Sequence, residues 1–252
     1  MGRRLVALAA ETEPLKLAAA WEHAANPAVG TDTGVLAGIG PNGLPLAAQP
    51  AADVDVVIDF TLPQALRSHL DHCTRHGLGI VIGTTGLTPD DHAAIDEAAR
   101  TIPIVQAPNM SLGVNLLLGL VAQAARQLGD DYDIEILEAH HRFKKDAPSG
   151  TAMGLAEAIC HATGKTIADD LIYTRYGHDD QRQRGKITMQ TLRMGDVVGE
   201  HTVFFATQGE RLELTHKASS RDTFARGALR AALWLHGRPA GRYTMKDVLG
   251  LA

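Results

Sequence analysis

The densest concentration of reactive side chains in this sequence is the run Glu138-Ala139-His140-His141-Arg142-Phe143-Lys144-Lys145-Asp146-Ala147-Pro148-Ser149-Gly150-Thr151-Ala152. Its second half, Pro148-Ser149-Gly150-Thr151, spells the start of a helix. The unpaired backbone N–H groups of such a first turn, helped by the hydroxyl of Ser149 or Thr151, bind a carboxylate. Cationic or protonatable side chains crowd the residues just before it, so the site suits a doubly charged anion. A histidine titrating near neutrality, or a lysine whose pKa falls beside other positive charge, supplies a proton as general acid. His140, His141 and Lys144 are the candidates for binding charge and proton donation; Ser149, Gly150 and Thr151 are the candidate anion contacts. For any one of these residues a solvated loop with a capping serine is an adequate account, but it explains the whole run poorly. Zinc binding by His140 and His141 is disfavoured, because adjacent residues on a strand point to opposite faces.

The elements around this run fall into two patterns. Arg3 to Ala10 reads as a helix and Pro14 to Ala20 as a strand ending at Trp21-Glu22-His23, with a glycine-rich loop from Gly30 to Gly43. Short β-branched runs at 54–60, 79–83 and 102–106 then alternate with helical stretches at 63–76 and 89–100, the second opened by Thr88 as N-cap and Pro89 at the first helical position. Alternation of this kind predicts a Rossmann-like parallel sheet with ligand-binding loops at the strands' carboxyl ends, after Asp59, Gly83 and Gln106. A long apolar helix over 112–129 follows, and the pattern changes. Strands at 133–138, 187–193, 200–206 and 211–218, with one helix at 150–162, predict a second α+β domain with a mostly antiparallel sheet. The apolar face of 223–235 is expected to return to the first domain. The expected division is 1–111 with 222–252 as a dinucleotide-binding domain, and 112–221 as a domain for substrate binding and assembly.

Composition limits the function classes. The chain has 252 residues, 45% of them hydrophobic, and a formal charge of −5, which leaves no general electrostatic footprint for nucleic acid. No apolar run reaches membrane-spanning length, and the short apolar stretch before Glu11 is too brief for a signal peptide. Two widely separated cysteines, Cys73 and Cys160, fit a reducing cytoplasm and not a disulfide scaffold.

The run from Glu138 to Ala152 resembles the E-x-H-H-x-x-K-x-D-x-P-S-G-T-A signature of the 4-hydroxy-tetrahydrodipicolinate reductase (dihydrodipicolinate reductase) family, with every specified position filled. The likeness continues through Val57-Ile58-Asp59-Phe60-Thr61, Ile82-Gly83-Thr84-Thr85-Gly86, Ala107-Pro108-Asn109-Met110-Ser111, Gly195 to Thr202 and His216 to Arg221. It implies NADPH- or NADH-dependent reduction of a cyclic dicarboxylate in lysine and diaminopimelate biosynthesis, by a homotetramer. His140 and Lys144 match the family's proton donors, and His141, Gly150 and Thr151 its substrate contacts. Gly83, Thr84, Thr85 and the loop Ala107, Pro108, Asn109 and Met110 match its dinucleotide contacts. The family opens on a strand and a G-x-x-G-x-x-G turn, whereas this chain opens at Met1-Gly2-Arg3 with Gly2 at the place of the last glycine. The expectation is that the natural start lies upstream. Glu22 is placed to accept from an adenosine ribose hydroxyl. His23 stands where arginine often meets a 2′-phosphate, which implies NADH use alongside NADPH. Two rivals stay open on the sequence alone: another nicotinamide-dependent oxidoreductase on this fold, such as an amino-acid dehydrogenase, and a truncated chain acting only as a ligand-binding or assembly module.

Overall fold

The computed structural model describes residues 1–173, 175, 177 and 181–251. The chain divides into two compact units, Met1–Leu112 with Asp222–Ala252, and Gly113–Arg221.

The first unit opens with helix α1 (Gly2–Ala9), and the glycine-rich stretch after it holds a short helix α2 (Thr33–Ala37) where a plain loop was expected. Asp32 explains that helix: its carboxylate accepts from the N–H groups of Gly34 and Val35 and also ties back Asn42 and Gly43. Then come β1 (Val56–Asp59), α3 (Pro63–His76), β2 (Gly79–Ile82), α4 (Pro89–Ala98) and β3 (Pro103–Gln106). The punctuation is local: Pro63 opens α3, Gly77 closes it in the left-handed region, and Thr88 forms a capping box with Asp91 at the start of α4. The strands pair in parallel with Asp59, Ile82 and Gln106 in line, so their carboxyl ends emerge side by side.

The expected strand over Pro14 to Ala20 does not form. A strand needs a neighbour with a free edge, and the ladder contact beside this segment is an isolated bridge just past its end, between Trp21 and Ala47, while Leu15 and Leu17 pack against the core.

The second unit carries α5 (Leu112–Leu128, from Gly113 onward), β4 (Asp133–His140), α6 (Gly150–Thr163), α7 (Ile167–Asp170), β5 (Leu171–Ile172), β6 (Ile187–Arg193), β7 (Gly199–Thr207) and β8 (Glu210–Ala218). Its sheet runs β5-β6-β4-β7-β8. Pairing is antiparallel on the β4-β7-β8 side and parallel on the β5-β6-β4 side, so the sheet is mixed. The parallel half follows from connection length: α6 lies in the link between β4 and β6, and such a crossover returns the chain in the same direction. The chain then re-enters the first unit as α8 (Asp222–Leu235), β9 (Gly241–Tyr243) and α9 (Met245–Leu249), with β9 completing the order β1-β2-β3-β9. As expected, the apolar face of α8 packs on the first unit's core, with Ala225, Ala228, Leu229, Ala232 and Leu235 buried beside Val81, Val105 and Met110. Among the described residues no helix is long and apolar enough to cross a membrane.

The second unit's sheet shows how a core becomes a site. Strand periodicity places Ile134, Ile136, Glu138 and His140 on one face of β4, and all four are buried. On β7 the matching row is Gly199, His201, Val203 and Phe205, likewise buried. On β6 the row starts at Ile187 and Met189 and ends at Arg193. Apolar at one end, these three rows turn polar together at the other.

Candidate active site

Glu138 is the centre of that polar end. Its side chain is fully buried, and its two oxygens accept from His140 Nδ1 at 2.5 Å, from Arg193 Nη1 and Nη2 at 3.0 and 2.9 Å, and from the Ser149 backbone N–H at 3.1 Å. Burial alone would push this carboxyl up. The hydrogen bonds and charges of His140 and Arg193 outweigh it and hold the pKa down at about 2. An ionised carboxylate only accepts, so the proton of His140 sits on Nδ1 and Nε2 is the ring nitrogen left for chemistry. Gly199 leaves room for that nitrogen: a Cβ there would stand 3.1 Å from His140 Nε2.

Ser149 caps α6, its Oγ accepting from Ala152 N–H at 3.2 Å. The same oxygen lies 3.1 Å from Nε2 of His201, a buried imidazole stacked edge-on against His140 with ring centroids 5.2 Å apart. Gly150 follows at the exposed first position of α6, where an added Cβ would meet nothing within 4 Å, so the helix start stands open at that position. Thr151 is half-buried in the first turn. His141 is half-buried, and its ring lies 6.3 Å from that of Phe143. Lys144 Nζ donates to both oxygens of Asp146 at 2.8 Å, so its immediate partner is an acid, where neighbouring positive charge was expected. All six residues singled out for proton transfer and anion binding therefore lie in one unit, around the end of β4 and the start of α6.

In the first unit one acid ties the first two of the three loops at the strands' carboxyl ends. Buried Asp59 accepts from the N–H and hydroxyl of Thr61 at 2.9 and 2.6 Å, from the Thr84 hydroxyl at 3.2 Å and from His69 Nδ1 at 3.0 Å. Burial raises its pKa, but these partners prevail and hold it below the ordinary carboxylate value. Gly83 passes under the Phe60 ring so closely that a Cβ would come within 2.5 Å of it. Thr84 is buried in this clasp and Thr85 is exposed beside it. In the third loop Ala107 and Met110 are buried and Pro108 is exposed. Asn109 accepts from Ser111 N–H at 2.8 Å. Ser111 reaches Thr223, and the neighbouring Asp222 holds the Arg4 guanidinium through two hydrogen bonds, which links the third loop to the first turn of α1. Gly2 opens α1, exposed and with no atom near an added Cβ. Glu22 and His23 are both exposed; the Glu22 carboxylate accepts from the His23 N–H at 2.8 Å. The fit to a dinucleotide is that of strand ends that emerge side by side and of an uncrowded Gly2 at the start of α1.

A model described as dihydrodipicolinate reductase, N-terminus, matches residues 1–110, and one described as dihydrodipicolinate reductase, C-terminus, matches residues 113–249. The chain belongs to the dihydrodipicolinate reductase family. The 4-hydroxy-tetrahydrodipicolinate reductases of Anaeromyxobacter dehalogenans (strain 2CP-1) and Hahella chejuensis are 53% and 50% identical to it, each over 100% of this chain and over 94% and 95% of their own lengths. A dipicolinate-bound dihydrodipicolinate reductase from Paenisporosarcina sp. TG-14 shares the fold at a TM-score of 0.75 and 20% identity, covering 98% of this chain and 94% of that one. An amine dehydrogenase from Mycobacterium smegmatis shares it at 0.58 and 14%, covering 97% and 92%.

Several residues of this dihydrodipicolinate reductase family member carry the geometry without having been singled out as site residues. Glu138 stood inside the motif with no role, and Asp59 marked only where a loop begins. Arg193 and His201 come from strands far along the chain. For His201 a signal existed: in Gly199-Glu200-His201-Thr202-Val203-Phe204-Phe205 it occupies the apolar phase of a strand, where a polar residue needs a reason.

Proposed function

We propose that this chain reduces 4-hydroxy-tetrahydrodipicolinate to tetrahydrodipicolinate with NADPH or NADH, in lysine and diaminopimelate biosynthesis. The observation that carries the reading is the His140–Glu138 pair beside the open start of α6: a proton-handling nitrogen of fixed tautomer next to a helix start that suits a carboxylate. The loops Gly83-Thr84-Thr85 and Ala107 to Met110, together with Gly2 on α1, hold the dinucleotide, which when bound supplies the hydride. Glu22 and His23 would meet its adenosine ribose, the acid accepting from a ribose hydroxyl and the imidazole standing beside a 2′-phosphate, so that either cofactor is accommodated.

The substrate's carboxylates are bound by the N–H groups of Gly150 and Thr151, the Ser149 hydroxyl and His141. A proton reaches the substrate ring from Lys144 Nζ, which Asp146 keeps oriented, or from His140 Nε2 when the ring carries a second proton there and Glu138 balances the imidazolium charge through Nδ1. A positioned acid of this kind contributes roughly 10²- to 10⁴-fold in rate. Buried Cys73, whose thiol is pushed up to about 12 by burial and the nearby Asp59, is unreactive, which fits a cytoplasmic protein. Assembly as a homotetramer is supported by β8, a nine-residue strand at the end of its sheet with Leu212 exposed on it.

The test is oxidation of NADPH and NADH by the chain in the presence of enzymatically generated 4-hydroxy-tetrahydrodipicolinate. Turnover supports the reading. Dinucleotide binding without turnover of this substrate would assign the chain to another nicotinamide-dependent reaction.

A further inference from the structure

We infer that His201 is a positioning residue: it donates its Nε2 proton to Ser149 Oγ and so turns the serine's own O–H outward as a donor for a substrate carboxylate. The inference rests on the dicarboxylate reading above and adds to it a residue that touches no reacting atom.

Three observations lead there. First, Ser149 Oγ already accepts the Ala152 N–H, so only one further lone pair is available to it. Second, His201 Nε2 lies 3.1 Å from that oxygen, and either atom is able to donate. Third, the opposite ring nitrogen, Nδ1 of His201, is buried with no hydrogen-bond partner among the described residues, and the residue as a whole is 3% exposed.

Two neutral tautomers are then in competition. With the proton on Nδ1, a buried N–H lacks an acceptor, which folded proteins rarely keep. Ser149 would also have to give its proton to Nε2, presenting only oxygen lone pairs to an incoming anion. With the proton on Nε2, the buried remainder is a lone pair, a smaller loss, and Ser149 Oγ accepts twice. Its O–H has no acceptor among the described residues and is left for the ligand. A carboxylate only accepts, so the second arrangement matches the chemistry of the site and the first opposes it.

The surroundings keep the ring neutral. Burial and the neighbouring His140 hold His201 well below the ordinary histidine range, at about 4. The groups that bear on it are Glu138 and His140 on β4, His216 opposite it on β8, and Lys144 and Ser149 from the loop between β4 and α6.

The test has two arms. Nitrogen-15 NMR of the imidazole in the unliganded full chain reads the tautomer directly: a protonated-type Nε2 and a pyridine-type Nδ1 are expected, and the reverse pattern overturns the inference whatever the enzyme's substrate. In the second arm, dipicolinate binding and turnover are measured for wild type, His201→Leu, His201→Gln, Ser149→Ala and the His201→Leu/Ser149→Ala double variant, with thermal melts to show that each is folded. His201→Leu is expected to raise the Kd for dipicolinate and the KM for substrate about tenfold, the scale of one hydrogen bond to a charged group, with little change in kcat. His201→Gln, whose amide reaches the Nε2 position, is expected to restore most of that loss. The double variant is expected to bind no worse than Ser149→Ala alone, because the histidine acts through the serine. Additive losses, or wild-type binding by His201→Leu, overturn the inference. If wild type itself binds no dipicolinate and turns over no substrate, the dicarboxylate reading falls, and the carboxylate-directed part of this inference falls with it.

Discussion

A carboxylate with no exposed surface persists as an ion only if its surroundings replace the water it has lost. Glu138 does so with four hydrogen bonds from three residues, and the consequence passes through His140: the imidazole's Nδ1 proton is fixed and Nε2 is left for chemistry. Two predictions belong here. Replacing Glu138 by Gln keeps the shape but strands the Arg193 guanidinium. A loss of about 3 kcal/mol in chemical denaturation is expected, the usual cost of breaking a buried pair by one partner. Gly199→Ala puts a methyl carbon 3.1 Å from His140 Nε2, so the ring must shift by a few tenths of an ångström. A fall in kcat on the order of tenfold is expected with dinucleotide affinity unchanged, and steady-state kinetics beside a cofactor titration separates the two. At this scale the sequence was informative where residues are contiguous. The motif named His140, Lys144 and the Ser149 to Thr151 turn, and these do lie together. It was silent on Arg193 and on what His201 meets, because a hydrogen bond between β4 and β6 or between the Ser149 cap and β7 depends on strand order; the apolar strand phase of His201 marked only that it needs a partner.

The elements succeed or fail as carriers of those residues according to how their edges and ends are satisfied. Helices with explicit caps were legible almost to the residue: α3 runs from Pro63 to His76 as its proline and following glycine predict. The strand expected at Pro14 to Ala20 was not, since apolar alternation shows that a segment is able to pair and leaves open whether a partner is present. The mostly antiparallel character of the second sheet was legible, but which of its strands pair in parallel was not, for a related reason. Strand-like runs were visible, but direction depends on whether α6 is read as a crossover. The close approach of α8 to the third loop was also invisible: a Cβ on Gly227 would lie 1.7 Å from the Met110 carbonyl oxygen, and neither residue stands out in its local sequence. Gly227→Ala is therefore expected to destabilise the first unit by about 3 kcal/mol through overpacking and to weaken dinucleotide binding, since Met110 cannot keep its place. Asp59→Asn acts on the same set of loops from the other side. With the charge gone, the turn at Thr61 and the Thr84 hydroxyl share a weaker, neutral amide acceptor, and NADPH and NADH affinities are both expected to fall about tenfold in fluorescence titration. A selective loss of one cofactor would place Asp59 in recognition and not in loop order.

At the scale of the whole molecule, the buried cluster that prepares the second unit for chemistry also ties its stability to pH, in two separable steps. His201 has a folded pKa of about 4 against an ordinary 6.5. Between those values the unfolded chain binds a proton that the folded one refuses, so the histidine's contribution is intact above about pH 6.5 and is lost as pH falls toward 4. Glu138 has a folded pKa of about 2 against an ordinary 4.5, so its contribution is intact above about pH 4.5 and is lost as pH falls toward 2. Each shift corresponds to a stability loss on the order of 3 kcal/mol across its window. The melting temperature is therefore expected to hold near neutrality, to start falling below about pH 6.5 and to continue falling below pH 4.5 as the second group takes over. His201→Gln should shrink the first window to what half-buried His216 contributes, while Glu138→Gln should shrink the acidic one to what Asp59 and the other carboxylates held low in the fold contribute. A wild-type profile level down to pH 4.5 would show that His201 is hydrated or charged in the folded state. The neutral imidazole that the Ser149 cap requires would then be absent.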